Sequence, residues 1–190
     1  ALAAWRALGN SGSLPVADFL IGALKEADKA FAPMESAAVR TAILLESAGK
    51  QEKAMEIYHL LTGGGRSLGA RQAGFRALFA ATPEEQKAAL IAEWSKSADA
   101  AQQQVVISQL TALNDEALEE TLNLKGLGSR VQIALMEELA SRQGDKMLPA
   151  MLQAASSDDP AKVQMALRFL GSAGDPQVIP VLIKALGSDE

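Results

Sequence analysis

Apolar residues recur along this chain at helical spacing, in short blocks punctuated by glycine, proline and acidic residues. In residues 8–28, LGNSGSLPVADFLIGALKEAD, the positions Val16, Phe19, Leu20, Ala23 and Leu24 follow i, i+3, i+4, i+7 and i+8. That spacing places them on one stripe of a helix. The final stretch, LGSAGDPQVIPVLIKALGSDE (residues 170–190), repeats the spacing with Val178, Val181, Leu182, Ala185 and Leu186. With an offset of 162 positions, Ala4-Trp5-Arg6-Ala7-Leu8-Gly9 falls on Ala166-Leu167-Arg168-Phe169-Leu170-Gly171, and Gly12 falls on Gly174.

The same unit lies between the two ends. RVQIALMEELASRQGDKMLPAMLQAASSDD (residues 130–159) precedes KVQMALRFLGSAGDPQVIPVLIKALGSDE (residues 162–190). Val131, Ala134 and Leu135 match Val163, Ala166 and Leu167; Asp145 matches Asp175 and Pro149 matches Pro180. More worn copies begin at Ala38, Ala70 and Gln104. Turn marks at Gly12, Gly49, Thr82, Asp115, Asp145 and Asp175 stand roughly 30–37 residues apart, the period of a two-helix repeat.

Each copy predicts helix A, a short turn, helix B and a loop. Asp145 and Asp175 sit where the N-cap of helix B belongs. Pro83 and Pro176 stand near a first helical position, where a missing N–H costs nothing. Pro149 and Pro180 fall in early turns of B helices, where each is expected to remove one internal hydrogen bond and bend the helix. Gly63-Gly64-Gly65 and residues 156–160 are expected as inter-repeat loops, the glycines supplying positive φ. One hairpin cannot cover its own apolar face, so neighbours must stack. The predicted fold is all-α: an α-α superhelix, a right-handed solenoid of about five and a half stacked hairpins. It is expected as a single domain over 1–190, with repeats near 1–32, 33–65, 66–97, 98–127, 128–158 and 159–190.

The segment DPAKVQMALRFLGSAGDPQVIPVLIKAL (residues 159–186) has Asp-Pro before helix A, Val-x-x-Ala-Leu within it, Gly-Asp at the turn, and Val-Ile-Pro-x-Leu-Ile in helix B. This pattern resembles the HEAT repeat, in the short bacterial HEAT-like form also seen in phycobilisome lyases. The middle copies depart from it, with Ser108-Gln109 in place of Ala-Leu and Asn114-Asp115 in place of Gly-Asp. Neither end carries the polar outer face of a capping repeat, so the chain is expected to be a piece of a longer protein.

Composition narrows the function. Of 190 residues 48% are hydrophobic, which excludes a disordered chain, and only 4% are aromatic. Net charge is −5, with 18 Lys and Arg scattered among 23 Asp and Glu, so the basic stripe of a nucleic-acid binder is missing. The absence of cysteine excludes disulfides and thiolate metal sites. No apolar run approaches the roughly 18 residues of a membrane span. Cytoplasm and export both remain open.

Candidate chemistry is thin. His59, the one histidine, sits beside Tyr58 with Glu56 nearby, without a second imidazole or thiol to complete a metal set. TGGGRS (residues 62–67) lacks the Gly-Lys-Ser/Thr ending and the preceding strand of a phosphate loop. Glu116 and Glu120 share a helix face, as expected of a solvated helix start. Trp5, Trp94 and the six Met are expected in the core. These positions imply no catalysis, no cofactor and no metal.

The expected function is therefore a non-catalytic protein-interaction or scaffolding module. The resemblance implies that B helices line a concave face holding a protein or peptide partner. B-helix positions opposite the apolar stripe should project there: Asp18, Gly22, Lys25, His59, Glu93, Glu120, Asn123, Gln153 and Lys184. Alternatives are a bilin lyase-like chromophore-handling protein, on resemblance alone, and an inert spacer within a larger protein. A helical-repeat glycosylase would need a basic groove, against which the charge balance argues. Neither nucleic acid nor a lipid bilayer is an expected partner.

Overall fold

The computed structural model describes residues 2–173 and 175–187, and of residues 184–186 the backbone only. Every regular element among the described residues is helical. In chain order these are α1 (Leu2–Gly9), α2 (Leu14–Glu26), α3 (Ala32–Ser47), α4 (Gln51–Leu61), α5 (Leu68–Ala81), α6 (Glu84–Trp94) and α7 (Ala100–Gln109). There follow α8 (Asp115–Leu122), α9 (Ser129–Gln143), α10 (Leu148–Ala154), α11 (Pro160–Ala173) and α12 (Ile179–Leu186). Tight 3-10 turns at Leu110–Ala112, Gly144–Met147 and Pro176–Val178 connect some of them. The chain divides into two compact units, Ala1–Leu90 with Asp99–Val105, and Ile91–Ala98 with Val106–Glu190.

In the first unit, the odd-numbered helices pack in one row, α1 on α3 and α3 on α5, while α2 packs on α4 beside them. This is the stacking of A and B helices that an array of hairpins requires. Ala17, Leu20, Ile21 and Leu24 of α2 are buried, and 37 residues later so are Ala54, Ile57, Tyr58 and Leu61 of α4. Gly12 and Gly49, also 37 apart, both hold positive φ (52° and 74°) just ahead of these helices, a region where L side chains are strained. Each fully buried Leu or Ile contributes roughly 1.5–3 kcal/mol.

The buried stripe of α2 is turned by one residue from the expected one. Leu20 and Leu24 are buried as predicted, but Phe19 is 54% exposed, and Val16 and Ala23 are half-buried. Helix α2 must face both α3 and α4, and this rotates Phe19 off the core. Its ring meets Trp5 instead, at 6.1 Å, and Trp5 also makes an edge contact with Phe31 at 5.8 Å. Trp5 is thus half-buried at an aromatic cluster rather than in the core, whereas Trp94 is buried.

In the second unit, α9 packs against α8 and α11, and α10 against α11. Leu118, Leu135, Leu139, Met151 and Leu170 are fully buried there. Five of the six Met are buried across the chain. In the last repeat Val178 is buried, and Val181 and Leu182 are half-buried. Ala185 and Leu186 of the expected stripe lie outside the described side chains.

Successive A helices are tied at their N-termini. Buried Glu35 of α3 accepts hydrogen bonds from the Ser67 amide (3.2 Å) and hydroxyl (2.6 Å), while Ser67 caps α5 by accepting from the Ala70 amide. Arg71 of α5 pairs at 2.6 Å with Asp99, which caps α7 through the Ala101 amide (2.8 Å). Ser129 of α9 donates to Asp159, which caps α11 through the Ala161 amide (3.0 Å). The Ser129 hydroxyl and the Ala161 and Lys162 amides hold the Asp159 carboxyl below its ordinary range.

Two arginines satisfy the free carbonyls of preceding turns. Arg66 donates to the carbonyls of Leu24 and Ala27 at the end of α2. Arg142 donates to Leu113 and Thr111 carbonyls (2.7 and 3.1 Å). TGGGRS is accordingly a structural turn, with Arg66 as a clamp between repeats.

Several local expectations need correction. Gly63, Gly64 and Gly65 do not use positive φ. At Gly65 a Cβ would stand 3.2 Å from the Asp28 carbonyl oxygen, a tight approach that the bare glycine avoids. Asp175 does cap its 3-10 turn, accepting from the Gln177 amide at 2.8 Å. Asp145 does not cap: it lies inside the turn Gly144–Met147, which runs straight into α10, and no side-chain cap bond forms at that turn or at the start of α10. Pro149 and Pro180 are the second residues of α10 and α12, where the α-helical ladder offers an amide no acceptor, so they remove no α-helical bond.

Candidate interaction surface

The B helices α2 and α4 present the most organised polar surface of the first unit. Lys53 of α4 pairs with Asp18 of α2 at 2.9 Å and with Glu56 at 2.9 Å. Lys25 of α2 closes the set on Glu56 at 3.1 Å. Two of the four, Asp18 and Lys25, were expected on this face, and the structure brings them into one network. Lys53 and Glu56 were not among the expected positions. They are only partly buried, and the 37-residue register of α2 on α4 is the signal that would have found them.

This network sits in water, with Asp18 64% and Lys25 56% exposed. Exposed ion pairs contribute little to stability, so its consequence is a fixed pattern of charge on the surface. The bonds to Glu56 and Asp18 push the Lys53 ammonium up to about 12, and those from Lys53 and Lys25 pull the Glu56 carboxyl down. His59 is exposed on α4, three residues beyond Glu56.

Of the remaining expected positions, Gly22 lies on α2 in the first unit and the others in the second. Glu93 on α6 and Glu120 on α8 are exposed. Asn123 at the end of α8 and Gln153 on α10 share an open groove of about 530 Å³, with Gln132, Met136 and Lys162 also on its wall. Glu120 is not among the residues lining that groove. Nearby, Gln143 donates to Glu119 at 2.7 Å. Gly22 is half-buried. Lys184 falls on α12, but its side chain lies outside the described residues.

Among the described residues, no group of three His, Cys, Asp or Glu could hold a metal ion, and no helix is long and apolar enough to cross a membrane. The one strongly shifted phenol, Tyr58, is explained by packing: burial and the bond it donates to Glu46 (3.0 Å) push its pKa up.

A family model for HEAT repeats matches residues 125–190. That segment holds α9 to α12, where the hairpin pattern is sharpest. No curated protein matches the chain, and no solved structure does. HEAT repeats generally mediate protein–protein interaction or scaffolding and are typically non-catalytic.

Proposed function

We propose, from the match of a HEAT-repeat model to residues 125–190, that the chain is a non-catalytic interaction or scaffolding module. It holds a partner protein or peptide on its B-helix face, using Asp18, Lys25, His59, Glu93, Glu120, Asn123, Gln153 and Lys184. The observation that carries this is the bridged set Asp18–Lys53–Glu56–Lys25, which displays charges of both signs in fixed positions across α2 and α4. Mixed charge suits a polar protein surface, since complementary potentials set specificity and on-rate. We also propose the repeat boundaries near 32, 65, 97, 127 and 158. Each proposed interval holds one pair of helices.

The test is affinity capture from lysate with the native chain and with a Lys25→Glu, Glu93→Lys, Glu120→Lys variant as baits. A partner retained by the first and lost by the second, at unchanged helicity by circular dichroism, is the expected result. Equal capture by both baits would contradict the B-helix assignment. Capture of nothing by either would favour the spacer.

A further inference from the structure

The A-helix side of the first unit carries a second surface, on the other row of helices. Arg6 of α1, Arg40 of α3 and Arg76 of α5 occupy equivalent places in WRAL, VRTA and FRAL. All three are exposed. None forms an ion pair among the described residues. Arg6 and Arg40 line one groove of about 290 Å³ with Leu2, Trp5, Pro33 and Ala37. Arg40 also lines the adjoining groove, of about 300 Å³, toward Gly69 and Ala73 of α5. Arg76 is three residues beyond Ala73, hence on the same side of α5.

Carboxylates do not compete on this row. Helices α1 and α5 have none, and α3 has two. Glu35 is 2% exposed and engaged by Ser67, and Glu46 accepts from Tyr58 at the far end of α3. In a chain of net charge −5, one row of helices thus offers evenly repeated guanidinium groups over an apolar floor.

We propose that this row binds an extended acidic peptide carrying Asp or Glu at every third residue. Packed helices lie about 8–10 Å apart, so the arginines repeat at about that interval. A polyproline-II segment has three residues per turn and rises about 3.1 Å per residue. Residues three apart therefore face the same way about 9 Å apart, in step with the helices. Each carboxylate can take two parallel N–H bonds from one guanidinium, and apolar residues between acids lie on Leu2 and Trp5. A nucleic-acid strand fits less well: it carries one phosphate per 3.4 Å or so of strand axis, which three arginines cannot match. This surface does not depend on the B-helix reading.

The probe is a fluorescein-labelled ten-residue peptide of the pattern Glu-Leu-Ser, read by anisotropy with the full chain at about 50 mM salt, where screening is modest. Binding should weaken about tenfold in Arg40→Ala, which lines both grooves, and be lost in Arg6→Ala/Arg40→Ala/Arg76→Ala. The triple Arg→Lys variant should fall between, and the Gln-Leu-Ser peptide should not bind. The B-face variant should bind the acidic peptide as the native chain does. The proposal is overturned if the acidic peptide does not bind, binds the triple Ala variant equally, binds no better than its Gln counterpart, or is lost from the B-face variant. It is equally overturned if phosphatidylserine vesicles or oligo(dT) bind in an arginine-dependent way and the peptide does not.

Discussion

Gly74 lies in the middle of α5, where glycine costs helix stability, and it is there for space. A Cβ would stand 2.7 Å from the Tyr58 carbonyl oxygen and 2.9 Å from Thr62 Cγ2. Gly74→Ala should therefore destabilise by about 1–3 kcal/mol as overpacking, measured by urea unfolding, despite the better helix propensity of alanine. Asn114 caps α8 through the Ala117 amide at 2.8 Å, so Asn114→Ala should cost about 1 kcal/mol in the same assay. Glu56 and Lys53 set a pH signature of known sign. A lowered carboxyl contributes stability above its ordinary value of 4.5, lost as pH falls through the lowered value. A raised ammonium contributes below 10.5, lost as pH climbs through about 12. Glu56→Gln should shrink the acid-side loss of stability, read as the urea midpoint against pH.

At the scale of elements, the stripe of α2 separates two neighbouring residues. Leu20→Ala empties a fully buried site and should cost about 2–5 kcal/mol. Phe19→Ala, on a half-exposed ring, should cost about 1 kcal/mol or less, chiefly the Trp5 contact. Equal losses would mean that the helix is rotated to the predicted stripe. This pair shows how much was legible in advance. Helical period and turn residues announced paired A and B helices, because those depend on local spacing. They could not set rotation to within one residue, because that depends on which two helices α2 must face. Inter-repeat links were hidden for the same reason. Ser67, Asp99 and Asp159 each cap an A helix, but their partners Glu35, Arg71 and Ser129 stand 28–32 residues away, beyond the reach of local spacing.

At the scale of the whole chain, the HEAT-repeat match over residues 125–190 and the ion-pair network on α2 and α4 support surface as the working part. Asp18 and Lys25 were legible as exposed B-helix positions, yet their joining through Lys53 and Glu56 required α2 to lie on α4. Of the A-row arginines the repeat alignment marked only Arg6, matched with Arg168, and no surface was visible until α1, α3 and α5 were seen in one row. The most direct test of the central claim is hydrogen exchange of the native chain with and without the partner it captures. Amide exchange should slow in α2 and α4, residues 14–26 and 51–61, with little change in α1 and α3. Protection confined to α1, α3 and α5, or absent from α2 and α4, would contradict the assignment of the B-helix face as the partner site.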